Sequence, residues 1–158
     1  MIFNAFKAKR AGFTLIEIIM VLAIGIILIA IGTYWYNSAK INSTLTTTTD
    51  SIVSALEQAK TNAISGKNGQ SYGVTFATTT YISFSGSSYN VSDPNNISHP
   101  VDSTLYLSNT LSSSTGVIIF ARLTGSANAT GTINIIDASN SSHKKSVIIG
   151  ALGDISVI

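Results

Sequence analysis

The chain has 158 residues, a length that suits one globular domain plus an anchoring segment. It contains no cysteine, which excludes disulfides and thiolate metal sites. Only 10% of the residues are charged, and the formal net charge of +2 includes three basic residues at positions 7–10. Without these three the chain would be near neutral, with no global basic field to hold nucleic acid. The remaining polarity comes from Ser, Thr, Asn and Gly, which fits an exported, strand-rich protein.

The first informative stretch combines a basic leader, a single carboxylate and a long apolar run. Basic residues at positions 7–10 precede Gly12 and Phe13, and Glu17 lies at the start of an apolar run that continues to about Tyr36. A helix from Phe13 to Tyr36 would be about 36 Å long, enough to cross a hydrocarbon core of roughly 30 Å. A carboxylate inside hydrocarbon costs roughly 2.5–3.5 kcal/mol, so Glu17 is expected to have a partner.

A cut between Gly12 and Phe13 would supply such a partner. The cut would remove the basic leader and create a new α-amine at Phe13, one helical turn from Glu17. That amine would neutralise Glu17 of its own subunit or of a neighbour in a packed bundle. The charge of Glu17 is then neutralised when subunits stack, and it remains an unpaired charge in an apolar environment when they do not. Glu17 is therefore expected to favour the assembled state.

The segment Gly12-Phe13-Thr14-Leu15-Ile16-Glu17 after a basic leader resembles the processing site of type IV pilins and pseudopilins. The resemblance implies that a prepilin peptidase cleaves after Gly12, that Phe13 becomes N-methylated, and that Phe13 and Glu17 direct filament assembly. It implies as partners other pilin or pseudopilin subunits, an inner-membrane assembly platform with a cytoplasmic ATPase, and membrane lipid before assembly. It implies no cofactor. Many pilins carry a proline midway along this helix, and this sequence has none there.

Two other interpretations of the same residues stay open. Thr14 and Glu17 match a capping box, in which their side chains satisfy free N–H groups at a helix start. A basic start followed by an apolar core is also typical of a secretory signal peptide, but such cores are about 7–15 residues long and end in an Ala-x-Ala-like site. The run here is longer and contains a carboxylate near its start.

The leader and the apolar run predict three segments of the chain and its orientation in the membrane. Residues 1–12 are the leader that is removed, residues 13–65 form the N-terminal helix with a transmembrane part at 13–36, and residues 66–158 form a β-rich head. The basic leader is expected to stay in the cytoplasm while the head is exported across the inner membrane.

The helix is predicted to continue beyond the apolar run to about residue 65. Apolar and small residues recur there at steps of three and four, at Ile41, Leu45, Thr48, Ile52, Leu56, Ala59 and Ala63. Residues 44–49 are rich in threonine, which has a low helix propensity, so packing against the head has to hold this segment. Gly66 is the expected helix stop.

From residue 72 the pattern alternates with a period of two, as in strands. Residues 72–76 and 80–84 are predicted to form a hairpin, and further strands are predicted over 104–107, 116–121, 132–136, 146–149 and 154–157. Their connections are too short for parallel crossovers, so the pairing should be antiparallel. Residues 93–100 hold both prolines and are predicted to be a loop.

The predicted fold is therefore α+β, with a long N-terminal helix, a membrane anchor in one half and amphipathic in the other, packed on an antiparallel β-rich C-terminal head. Small residues at positions 55 and 59, the hairpin and a late strand at 153–157 resemble, more weakly, the minor pseudopilins of the type II secretion tip.

The sequence contains no arrangement of residues that is typical of a catalytic site or of a metal site. His99 and His143 are expected to be solvated histidines in separate loops, without metal-ligand spacing. Lys144 and Lys145 offer a small basic patch to DNA or another anionic polymer, although two adjacent lysines are usually solvated. Several oxygens could suit calcium but lack the order of an EF-hand, so an Asx-rich turn is expected instead; they belong to Asp93, Asn95, Asn96 and Asp102.

These features predict a structural subunit of a type IV pilus-like or pseudopilus filament, and not an enzyme. The alternative is a single-pass, membrane-anchored envelope module whose β-rich head binds a ligand. Substitution of Glu17 separates the two, because only filament assembly needs that carboxylate.

Overall fold

The structure is a computed structural model that describes residues 12–113 and 115–158, except for the side chains of residues 32–34. The chain divides into two compact units, one that ends at Ala39 and one that spans Lys40–Ile158. Helix α1, Leu15–Ile64, is 50 residues long and contributes to both units. The second unit therefore contains the last part of the helix as well as the strands.

The first part of α1 is apolar on every side. From Leu15 to Ile31, the described large apolar side chains are exposed by 47% for Ile18 up to 77% for Leu15. A helix that is apolar all round is stable only in lipid or inside a protein assembly. None of the described residues covers these side chains.

The second part of α1 has one buried face. The most buried apolar side chains on it are 0–4% exposed and recur at helical spacing, as predicted; they are Leu45, Ile52, Leu56, Ala59 and Ala63. The prediction was wrong at one position: Thr49 is 0% exposed, whereas Thr48 is only partly buried. Thr49 lies four residues after Leu45 and three before Ile52, so it continues the same row.

The threonine-rich segment remains helical because its hydroxyl groups bond within the helix. The side chains of Thr44, Thr46, Thr49 and Ser51 each donate to the carbonyl four residues earlier, at 2.7–3.0 Å. These bonds satisfy the hydroxyls without breaking the backbone ladder. Lys145 Nζ also donates to Thr46 Oγ1 at 3.0 Å, which ties the helix to a strand of the head.

The helix ends as predicted at Gly66. This residue has φ 63°, in the left-handed region that glycine adopts without a Cβ penalty. Its N–H donates to Ala63 O at 3.1 Å, and a 3₁₀ turn, Lys67–Gly69, follows.

Eight strands form two four-stranded antiparallel sheets. Sheet A has the order β3-β2-β1-β5, and sheet B has the order β4-β6-β7-β8. The strands are β1 Tyr72–Phe76, β2 Thr80–Ser85, β3 Ile97–Pro100, β4 Leu105–Leu111, β5 Val117–Phe120, β6 Gly131–Asp137, β7 Lys144–Ile149 and β8 Ile155–Val157. The predicted α+β class with an antiparallel head is confirmed.

Strand β3 corrects the prediction of a loop over residues 93–100. It pairs with β2, with Pro100 opposite Thr80 and His99 opposite Tyr81. Proline lacks an N–H and is tolerated because β3 is an edge strand of sheet A. His99 is therefore a strand residue, and its ring stacks on that of Tyr81 with 4.8 Å between centroids.

The core of the second unit lies where its helical part meets both sheets. Ile52 and Leu56 of the helix, Ile118 and Phe120 of sheet A, and Ile133 of sheet B are all 0% exposed. At roughly 25 cal/mol per Å² of apolar surface, such burial is what holds the threonine-rich helix in place.

Candidate functional site

The N-terminal motif lies at the start of α1. Thr14 precedes the first helical residue, and its Oγ1 accepts the N–H of Glu17 at 3.3 Å while its carbonyl accepts the N–H of Ile18 at 3.2 Å. Thr14 is thus the N-cap, and this side-chain bond is one of the two that make a capping box. Phe13 lies outside the helix and is 81% exposed.

Glu17 lies in the first turn of α1 with its side chain exposed. The helix dipole favours a carboxylate at this end. Among the residues that the structure describes, none forms an ion pair with Glu17. Lys7, Lys9 and Arg10 of the predicted leader lie outside the described residues.

The surface that follows Glu17 has the dimensions of a membrane span. Its most apolar 18-residue window has a mean hydropathy of 2.9, and none of that window is buried in the chain. The helix is long and apolar enough to cross a bilayer. The motif and this surface are adjacent, since α1 begins two residues after Phe13.

Comparisons with known proteins agree with this geometry. Residues 7–33 match the family model described as the prokaryotic N-terminal methylation motif. The fold is similar to the minor pseudopilin EpsH from the Type 2 Secretion System of Vibrio cholerae, with a TM-score of 0.56 and 16% identity over 72% of this chain and 95% of that chain. It is also similar to the type IV minor pilin FimU of Pseudomonas aeruginosa, with a TM-score of 0.57 and 15% identity over 72% of this chain and 92% of that chain. No curated protein sequence matches significantly.

The motif and the fold point in the same direction. The chain carries a prepilin-type N-terminal methylation motif, and its fold is similar to those of a minor pseudopilin and a type IV minor pilin. The resemblance predicted from the Gly12-to-Glu17 segment is thereby confirmed.

In the head, the acidic and amide residues predicted to form an Asx-rich turn bond to their own loops. Asp93 Oδ1 accepts the backbone N–H of Asn95 at 2.9 Å. Asp102 Oδ1 accepts the hydroxyl of Thr104 at 2.6 Å and its N–H at 2.8 Å, and these bonds hold the pKa of Asp102 below its ordinary value. Over residues 12–113 and 115–158, no group of three or more acidic or histidine side chains is placed to hold a metal.

Sequence reasoning missed the most buried carboxylate of the head. Asp137 ends β6 and is 2% exposed. Its Oδ1 accepts the hydroxyl of Ser139 at 2.7 Å and the N–H of Ser139 at 2.8 Å, and its Oδ2 lies 3.5 Å from Nδ1 of His143. The hydroxyl bond from Ser139, followed by the N–H bond, holds the pKa of Asp137 below its ordinary value. The Asp-x-Ser spacing at a turn was the available signal.

His143, Lys144 and Lys145 lie next to one another in sequence but have different surroundings in the head. His143 is exposed by 46% at the turn before β7, close to Asp137. Lys145 bonds to Thr46 of the helix, whereas the side chain of Lys144 is exposed. The predicted basic pair is thus divided between one structural and one solvated lysine.

Proposed function

We propose that this chain is a structural subunit of a type IV pilus-like or pseudopilus filament and that its N-terminal helix is the assembly element. One observation carries the proposal: an apolar helical surface, which no described residue of the chain covers, begins directly after the prepilin-type motif. Before assembly this surface lies in lipid, and in the filament it packs against the same surface of neighbouring subunits.

Three residues have defined roles in this proposal. Prepilin peptidase cleaves after Gly12, and the new N-terminal residue, Phe13, is N-methylated. Gly12 is exposed, which suits proteolysis. The α-amine of Phe13 then neutralises Glu17 of the same or an adjacent subunit, which offsets the cost of a carboxylate in an apolar filament core.

The proposal includes domain boundaries, location and partners. Residues 1–12 are the removed leader, residues 13–65 are the helix with 13–36 in the bilayer, and residues 66–158 are the head. The N-terminus faces the cytoplasm, and the head lies outside the inner membrane. Partners are other pilin or pseudopilin subunits, the peptidase, and an assembly platform driven by a cytoplasmic ATPase.

The N-terminal mass of the protein, purified from its own envelope, tests the processing step. We expect a chain that begins with N-methylated Phe13. In a Gly12→Val variant the peptidase meets a branched side chain at the cleaved bond, and the uncleaved mass should accumulate. A wild-type mass that retains Met1, or a start near Lys40, contradicts the proposal.

Substitution of Glu17 tests the assembly step. In Glu17→Ala the amine of Phe13 loses its counter-charge, and we expect cleavage to continue but filament yield to fall at least about 10-fold, the factor for roughly 1.4 kcal/mol per contact. Glu57→Ala is the matched control, because Glu57 is an exposed carboxylate of the same helix within the head unit. Normal filament yield in Glu17→Ala would favour the membrane-anchored binding module instead.

A further inference from the structure

A groove of about 920 Å³ lies within the second unit, between α1 and the helix-facing side of sheet A. The helix lines it from Thr47 to Asn62, and β2 and β3 line the opposite side. At 1.5 Å per residue, the lined length of helix is about 22 Å. This is an elongated groove that suits a chain-like ligand.

The groove exists because small side chains occupy positions that would otherwise hold core residues. On β2, Ser83 and Ser85 share the helix-facing side with Tyr81, and Ser83 lies between Val74 of β1 and Ile97 of β3. A period-two strand normally presents apolar residues at such positions. The helix side is equally small there, with Thr47, Ser51, Ala55 and Ala59 in one row of four-residue steps.

A second helical row lines the rim with side chains that have free hydrogen-bonding capacity. It consists of Asp50, Ser54, Gln58 and Asn62, again at steps of four. In the described part of the chain, none of these four side chains has a hydrogen-bond partner. Each amide offers two donors and one acceptor, and so matches a hydroxyl group, which both donates and accepts.

On the opposite wall, rings and one aliphatic side chain lie beside the serines of β2. His99 is partly buried and lies nearly parallel to the ring of Tyr81, at 12° between planes. Ile97, 59% exposed, lies two residues before it on the same side of β3. Tyr72, another partly buried ring, lines the end of the groove near the 3₁₀ turn. Rings and aliphatic groups of this kind pack against the C–H faces of sugars.

The charges on the groove are balanced. Apart from His99, the ionisable acid and base side chains that line it are Asp50, Lys67 and the two tyrosines, so one carboxylate faces one ammonium group. A polyanion would gain little electrostatic attraction from such a lining. An apolar ligand would leave the free amides of the groove without hydrogen-bond partners. A neutral chain with hydroxyl groups and C–H faces can hydrogen-bond to the helical rim and pack against the rings of the opposite wall.

From these observations we infer that the groove binds a neutral oligosaccharide chain, with amide and hydroxyl groups of the helix on the sugar hydroxyls and the His99 side on the sugar faces. This function does not depend on filament assembly, because every lining residue belongs to the second unit. It would let an assembled or a membrane-anchored head hold a glycan.

The test is a binding titration of the full chain in a detergent without a sugar headgroup. The probes are three neutral tetrasaccharides, made of glucose, galactose and N-acetylglucosamine, together with a tetrasaccharide of galacturonic acid as the charged comparison. We expect saturable one-to-one binding of at least one neutral probe and weaker binding of the acidic one. Binding of no neutral probe at up to about 10 mM, or tighter binding of the acidic probe, overturns the inference.

Two double variants locate the binding. Gln58→Ala with Asn62→Ala removes both rim amides, and loss of two hydrogen bonds should weaken binding about 10-fold or more. Glu57→Ala with Thr61→Ala is the matched control, since both residues are exposed, have the same four-residue spacing and do not line the groove. Both variants should unfold at nearly the wild-type temperature. Equal affinities in the two variants overturn the inference.

A neighbouring subunit is the competing occupant. Ser54→Leu fills the rim at an exposed helical position and should abolish glycan binding while filament yield stays normal. If Ser54→Leu instead blocks assembly and the wild type binds none of the neutral probes, the groove is a subunit contact and the glycan inference fails.

Discussion

The two parts of helix α1 differ in where their apolar surface is satisfied. In the first part, Leu22 is 61% exposed within the chain, whereas in the second part Leu56 is 0% exposed against the two sheets. The first part is apolar all round and the second only along one stripe. One continuous helix thus carries a surface that needs lipid or other subunits and a surface that the head completes by itself.

The carboxylates show the same contrast. Asp137 is buried in the head and bonds to Ser139 of its own turn, while Glu17 is exposed and has no ion-pair partner among the described residues. The head therefore provides hydrogen bonds to one oxygen of its buried carboxylate within a single turn. In the proposed function, Glu17 gains its counter-charge from the processed N-terminus of the same or an adjacent subunit.

We expect the largest difference from one leucine-to-alanine substitution made in each part of the helix. Leu56→Ala leaves a cavity between helix and sheets and should lower the free energy of unfolding by about 2–5 kcal/mol. Leu22→Ala is the matched control and should change it by less than about 0.5 kcal/mol. Denaturant unfolding of the full chain in detergent, followed by the strand signal, measures both. Equal losses would mean that both surfaces are buried within one chain.

The buried carboxylate gives a smaller, pH-dependent effect. Because the folded pKa of Asp137 lies below its ordinary value of 3.8, its contribution to stability is complete above that value and is lost as the pH falls through the folded pKa. Asp137→Asn keeps an acceptor for Ser139 but removes the charge, and should cost about 1–2 kcal/mol at pH 7. The variant should also lose less stability than the wild type between pH 5 and pH 2, within the acid range of the linkage argument.

Asp50→Asn is the control for this measurement. Asp50 is exposed and accepts no hydrogen bond from the described residues, so its substitution should change stability by less than about 0.5 kcal/mol. If Asp137→Asn keeps the full acid sensitivity of the wild type, another group is responsible for it.

The end of the helix contributes to stability through one glycine. Gly66 has φ 63°, and a Cβ there would also lie 3.3 Å from a methyl group of Leu123. Gly66→Ala should therefore destabilise the head by about 1–2 kcal/mol. Gly66→Asn should lose less than Gly66→Ala, because asparagine tolerates the left-handed region better. A larger loss for asparagine in thermal unfolding would place the cost in the crowding at Leu123 and not in the backbone.

Local patterns made much of this protein predictable. The long helix, its stop at Gly66 and the hairpin of β1 and β2 each follow from residues that are close in sequence. The prepilin-type motif could be recognised for the same reason, since Gly12, Phe13 and Glu17 lie within one short segment. Periodicity and spacing report such features without knowledge of the rest of the chain.

Other features were decided by pairing between distant segments. The proline-containing segment that ends at Pro100 became a strand only because β2 offers it an edge, and that pairing stacks His99 on Tyr81. The groove required serines of β2 to face small residues of the helix some 30 positions earlier. The helix, the motif and the strand period could be predicted because they depend on neighbours along the chain. The burial of Asp137 and the opening of the groove could not, because burial depends on which distant surfaces meet.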